Sequence, residues 1–136
     1  MLLVVDANVL LSALIRPEGL TRKLFADLRL QLKAPAHLLA EFTLHAAEAR
    51  EKSGLTTAEF TAAAQTIWSR IETVPDEDAA PFLKPASTLI KDGKDWLYLA
   101  SALACNADVW SNDRHFKAQG RVRTWTTQEL AKQLGY

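Results

Sequence analysis

Four carboxylates, Asp6, Glu41, Asp95 and Asp113, are the side chains best placed to do chemistry together. Asp6 follows directly on the apolar run Leu2-Leu3-Val4-Val5, and Asp113 lies just past Val109-Trp110-Ser111. Both runs read as buried strands of a parallel sheet, and ligands of such sheets bind at the carboxyl ends of the strands. Asp95 opens an alanine- and leucine-rich helix, where the positive end of the helix dipole favours a carboxylate. Glu41 falls in the first half of another helix. Taken alone it reads as a solvated surface residue.

Carboxylates held a few ångströms apart repel one another, and burial makes their charge costlier still. A bound cation resolves that conflict. The donors are all oxygen and no Cys/His cluster has zinc spacing, so the expected ions are Mg²⁺ or Mn²⁺, one or two of them. Such ions suit phosphoryl transfer, because they polarise a phosphate, favour ionisation of an attacking water and stabilise the leaving oxygen. Each acid also has a plainer reading: Asp6 and Asp95 as helix N-caps, and Asp113 as a turn residue before a short helix. Asp92, followed by Gly93, reads first as a turn residue and only second as an extra acid at the rim.

The elements that must position these acids follow from periodicity. The predicted order is a strand at Leu2–Val5, a helix from Asn8 that breaks at Arg16-Pro17-Glu18-Gly19, and a helix from Leu20 to about Leu28 with Leu20, Leu24 and Leu28 on one stripe. A strand at Leu30–Ala34, closed by Pro35, precedes a helix over residues 36–50 with Leu38, Leu39, Phe42 and Ala46 facing inward. Thr56 and Glu59 form a candidate capping box for a helix reaching Arg70, before a weak strand at Ile71–Val74. Pro81 and Pro85 make residues 78–90 an irregular helix. A strong helix from Asp95 to Cys105 stops at Asn106; strands at Asp108–Ser111 and Val122–Trp125 follow, and a second capping box, Thr126 with Glu129, starts the last helix. This alternation predicts an α/β fold, three-layer α/β/α, with a mostly parallel central sheet of about five strands.

The 136 residues predict one domain over 1–136, without repeat or linker, and the 49% hydrophobic, 24% charged composition is that of a folded globular chain. Asp6 interrupts the apolar start too early for a signal peptide or membrane span, and the lone Cys105 suits a reducing compartment, so a cytoplasmic protein with no membrane partner is expected. Formal charge is balanced at 16 basic and 16 acidic groups, which weighs against a polyanionic partner. Outside the four acids, however, the balance is +4. Arg16, Arg22, Lys23, Lys94, Arg114 and Lys117 are the cations to consider for phosphate contact, with ordinary surface charge the equal alternative. His115 lies near Asp113, while His37 and His45 read as surface or helix-flank residues, and Trp68, Trp96, Trp110 and Trp125 as core.

Four segments in order, Val5-Asp6-Ala7-Asn8-Val9-Leu10, Leu39-Ala40-Glu41-Phe42, Asp92-Gly93-Lys94-Asp95 and Trp110-Ser111-Asn112-Asp113-Arg114-His115-Phe116, resemble the PIN-domain ribonucleases, a family that includes the VapC-like toxins and PilT N-terminus-like domains. The resemblance implies that Asp6, Glu41, Asp95 and Asp113 are the metal-site acids, that Asn8 supports the first of them and that Ser111 stands beside the last. It further implies single-stranded RNA as substrate, cleaved by metal-activated water to leave a 3′-hydroxyl and a 5′-phosphate. A homodimer and an antitoxin protein partner belong to the same implication. Trp96 and Trp110 depart from the family's usual residues without removing a ligand.

Two other functions compete. An aspartate-nucleophile phosphatase, or a phosphoacceptor domain, wants a second acid near Asp6, and residue 8 is asparagine. A catalytically inactive RNA- or partner-binding module of the same fold keeps all the elements and loses only the chemistry.

Overall fold

In the computed structural model, which describes residues 1–136, five strands form one all-parallel sheet: β1 (Leu2–Val5), β2 (Gln31–Pro35), β3 (Ile71–Val74), β4 (Asp108–Trp110) and β5 (Thr124–Trp125). Their spatial order is β3-β2-β1-β4-β5. The chain therefore builds outward from β1 in one direction, then returns to β1's other side with β4. That reversal opens a crevice between the carboxyl ends of β1 and β4, the place where open α/β sheets bind ligands. Its central position explains the unbroken apolar run of β1, whose Leu3, Val4 and Val5 are fully buried.

The helices are α1 (Ala7–Ile15), α2 (Leu20–Phe25), α3 (His37–Ser53), α4 (Thr57–Trp68), α5 (Asp76–Ala79), α6 (Leu83–Leu89), α7 (Trp96–Cys105), α8 (Arg114–Ala118) and α9 (Thr127–Leu134). α1 packs against α2, α3 and α4, while α7 packs against α5, α6 and the central strands, giving three layers. Between them lies one core cluster that includes Trp110, Tyr98, Phe25 and Phe116, with the Phe25 and Trp110 rings 4.9 Å apart. No helix is long and apolar enough to cross a membrane.

Local signals set most boundaries. Both capping boxes form, Thr56 with Glu59 and Thr126 with Glu129, each through reciprocal side-chain and backbone bonds. Asn106 ends α7 in the left-handed region at φ 53°, a conformation asparagine tolerates better than most residues. The proline-containing stretch breaks into α5, a 3₁₀ turn at Ala80–Phe82 and α6.

Several expectations need correction. α2 stops at Phe25, and Leu28 is 84% exposed instead of lying on an inward stripe. The cause is a turn: Asp27 accepts from the Arg29 backbone N–H at 2.9 Å, and the Arg70 guanidinium binds the carbonyls of Phe25, Asp27 and Leu30. Leu39 is 57% exposed, because the inward line of α3 runs through Leu38 and Ala49. Pro35 belongs to β2, at its last rung opposite Val74, where proline's missing N–H is tolerated. β5 is shorter than expected, since Gln119 takes up the backbone of residues 121 and 122 in a loop.

Candidate metal centre at the β1–β4 crevice

Asp6 is the first residue beyond β1, and its backbone N–H bonds to the Trp110 carbonyl at 3.1 Å, extending the β1–β4 pairing by one rung. Its side chain does not cap α1. Instead Oδ2 accepts a 2.7 Å bond from the Ser111 hydroxyl, in surroundings that leave Asp6 only 5% exposed. Burial pushes the Asp6 carboxyl above its ordinary range; Ser111 and the Asn8 backbone N–H oppose that, and the charges of Glu41 and Asp113 add to it. Asn8 thus supports Asp6 through its backbone, and its side chain faces a neighbouring cavity.

Ser111 also ties the last acid to the first. Its Oγ accepts from the Asp113 backbone N–H at 3.0 Å while donating to Asp6. Asp113 itself caps α8, with Oδ1 accepting from the His115 N–H at 2.9 Å, and the His115 ring stands 3.5 Å from the same oxygen. Asn112, between them, exchanges bonds with Thr127: its Oδ1 accepts from the Thr127 N–H, and its Nδ2 donates to Thr127 Oγ1. Trp110 Nε1 donates to that same hydroxyl. The start of α9 therefore braces the acid-bearing loop.

Asp95 ends a 3₁₀ turn at Gly93–Asp95 and precedes α7, with no side-chain cap bond of its own. Desolvation, then the charges of Asp6, Asp92, Asp113 and Glu41, push its carboxyl up to about 6. The charges of Glu41 and Asp113 thus bear on both Asp6 and Asp95. Asp92 caps the 3₁₀ turn by accepting from the Lys94 N–H at 3.0 Å and is exposed, as its turn reading has it.

Glu41 is held across the molecule by Tyr98, and His37 of its own helix stands close by. Tyr98 Oη donates to Glu41 Oε1 at 2.9 Å, and His37 Nε2 lies 3.0 Å from the same oxygen. Neither Tyr98 nor His37 was legible as a site residue from composition, but their spacing carried a signal. His37 is one helical turn before Glu41, and Tyr98 is three residues after Asp95 on α7.

The candidate cations differ in their surroundings. Lys94 and Arg114 are exposed and form no ion pair. Lys117 turns away to Glu129 and the Thr124 carbonyl, so its charge is engaged with the C-terminal helix instead of the crevice. Arg22 donates Nε to the Ala13 carbonyl and closes the end of α1. Arg16 lines two cavities at once: one of about 520 Å³ with Asn8, Ser12, His45 and Lys52, and one of about 440 Å³ with Ser12, Thr21, Asn112 and Gln128.

None of Asp6, Asp95 or Glu41 forms an ion pair with a lysine or arginine. A set of mutually repelling oxygen donors without a resident cation fits a hard divalent ion by its chemistry. As the side chains stand, no three His, Cys, Asp or Glu groups form a ready-made cage. Closing them on an ion requires side-chain adjustment.

An all-parallel sheet with Asp6 and Asp113 just beyond the β1 and β4 ends at its reversal point places the chain in the α/β class whose ligand crevice lies there. The chain belongs to the PIN domain family, whose profile matches residues 4–135. No curated protein matches it. Among solved structures, it is similar to a chain of VapBC2 from Rickettsia felis, crystallised bound to a DNA fragment from their promoter: TM-score 0.69, 17% identity, covering 93% of this chain and 98% of that one. At that identity the likeness concerns the fold.

Proposed function

We propose that residues 1–136 form one nuclease domain that cleaves single-stranded RNA endonucleolytically, with Mg²⁺ or Mn²⁺ as cofactor, one or two ions. The observation that carries this reading is geometric: Ser111 ties Asp6 to the Asp113 backbone at the β1–β4 reversal, and none of Asp6, Asp95 or Glu41 is paired to an arginine or lysine. Membership of the PIN domain family supports it.

Asp6, Glu41, Asp95 and Asp113 would hold the ions. When bound, the ions supply charge for the phosphate and lower the pKa of an attacking water. The chain's own residues do the rest. Ser111 fixes the Asp6 carboxylate and the Asp113 backbone in one relative position. Arg16, Lys94 and Arg114 offer unpaired cations to the flanking phosphates, with His115 beside Asp113 as a further contact. Water adds to phosphorus as the bond to the 3′ oxygen breaks, giving a 3′-hydroxyl and a 5′-phosphate.

The reading extends to a cytoplasmic toxin that acts as a homodimer and is restrained by an antitoxin protein; for the last of these, the similarity in fold to a chain of VapBC2 is the support. The test is cleavage of a labelled single-stranded RNA in Mn²⁺ by wild type and Asp6→Asn. Wild type should cleave, a chelator should stop it, and the variant should fold but lose at least a hundredfold in rate, in line with loss of a major electrostatic contributor. Cleavage that survives both treatments would contradict the mechanism.

A further inference from the structure

Glu41 is the acid that depends most on others for its position. It comes from the second turn of α3, a helix that buries only Leu38 and Ala49, and its side chain is 25% exposed, whereas Asp6 and Asp113 are fixed by the ends of paired strands. A glutamate so placed has three side-chain torsions to settle, and a free one loses rotamer entropy when it takes up a ligand geometry. Here that freedom is removed in advance.

We infer that Tyr98 is a positioning residue that locks Glu41 by its Oε1, leaving Oε2 as the oxygen it presents to a divalent ion. Tyr98 Oη donates to Oε1 at 2.9 Å and His37 Nε2 approaches that same atom at 3.0 Å, while Oε2 has no partner in the protein. Tyr98 is 1% exposed, and its ring stands edge-on to His37 at 6.4 Å and to Phe116 at 6.4 Å. Phe116 belongs to the helix capped by Asp113, and Tyr98 lies one turn beyond Asp95 on α7. One phenol therefore joins the three elements that carry Glu41, Asp95 and Asp113. A merely structural tyrosine would need a hydrogen-bond partner for its buried hydroxyl, but not one that is itself an acid of the cluster. Carboxylate ligands are commonly oriented by such outer contacts, and losing one typically weakens metal binding by about 10–100-fold.

The inference rests on Glu41 being a ligand, and the test separates the two claims. Mn²⁺ affinity of the full-length chain is measured by calorimetry for wild type, Tyr98→Phe, Glu41→Gln and the double variant, with folding checked by circular dichroism. Tyr98→Phe keeps the ring and removes only the hydroxyl. The expected result is about a tenfold loss of Mn²⁺ affinity for Tyr98→Phe, and no further loss when it is added to Glu41→Gln, because the phenol acts only through that carboxylate. If Glu41→Gln weakens binding while Tyr98→Phe stays within twofold of wild type, or if the two losses add in full, the positioning role is overturned and the metal centre stands. If Glu41→Gln leaves affinity unchanged, both claims fall.

Discussion

The hydroxyl of Ser111 donates a 2.7 Å hydrogen bond to Oδ2 of Asp6, joining residues 105 positions apart across the β1–β4 crevice. Ser111 Oγ in turn accepts from the Asp113 N–H, so one small side chain sets the distance between two acids. Ser111→Ala leaves a buried carboxylate oxygen and a backbone donor without a partner. That should destabilise the fold by about 1–3 kcal/mol, raise the Asp6 pKa further and lower Mn²⁺-dependent cleavage by about tenfold. Ser111→Thr, which keeps the hydroxyl, should retain most activity. Equal activity of the alanine and threonine variants would show that the bond does not matter.

The raised pKa of Asp95 has a definite sign. Its ordinary value is 3.8 and its folded value about 6, so the folded state holds the proton more tightly. Stability from this group is full below about pH 4 and is lost as pH rises through about 6. The full shift corresponds to roughly 3 kcal/mol, which solvent screening of this partly exposed group reduces to about 1–2 kcal/mol. Asp95→Asn should therefore raise the melting temperature of metal-free protein by roughly 3–6 °C at pH 7.5 and little at pH 4. Thermal denaturation in a chelator across that range checks it, and an identical pH slope in the variant would refute it.

Thr127 accepts from both Trp110 Nε1 and Asn112 Nδ2 through one hydroxyl. Thr127→Val is nearly isosteric and strands two donors, so urea denaturation should show a loss of about 1–3 kcal/mol. Cleavage should fall with it, because Asn112 adjoins Asp113. The neighbouring Thr126→Ala removes only the α9 capping box, at about 1 kcal/mol, and should leave cleavage unchanged. If both variants behave alike, the brace has no bearing on the site.

Arg16 lines both cavities that flank α1 and forms no ion pair. Arg16→Ala should raise KM severalfold with kcat within about twofold, and reduce the salt dependence of RNA binding by roughly 0.7 in the log–log slope, the value of one single-strand phosphate contact. Arg121→Ala, outside both cavities, serves as the comparison. A change confined to kcat would place Arg16 elsewhere in the mechanism.

How far the sequence reached depended on whether an element is specified locally. Asp6 and Asp113 were placed by the strands before them, and the structure puts both at the reversal point, a topological fact no local pattern contains. Capping boxes at Thr56 and Thr126 and the stop at Asn106 are decided by neighbouring residues, and they were readable. Leu28 and Leu39 were misplaced because apolar periodicity does not reveal which helix face meets a partner. A distant contact from Arg70 ends that stretch of chain instead. Glu41 could not be assigned to the site locally, since the hydroxyl that binds it, that of Tyr98, lies 57 residues away. Lys117 looked available until Glu129, 12 residues on, was brought beside it.

The central claim is that the acids at the crevice form a divalent-metal centre, and a crystal of the wild-type chain soaked in Mn²⁺ tests it most directly. The expected result is one or two anomalous peaks at coordination distance, about 2–2.5 Å, from oxygens of Asp6, Asp95 and Asp113, with Glu41 contributing through Oε2. Peaks confined to other surfaces, with these carboxylates unmoved and unshared, would contradict it.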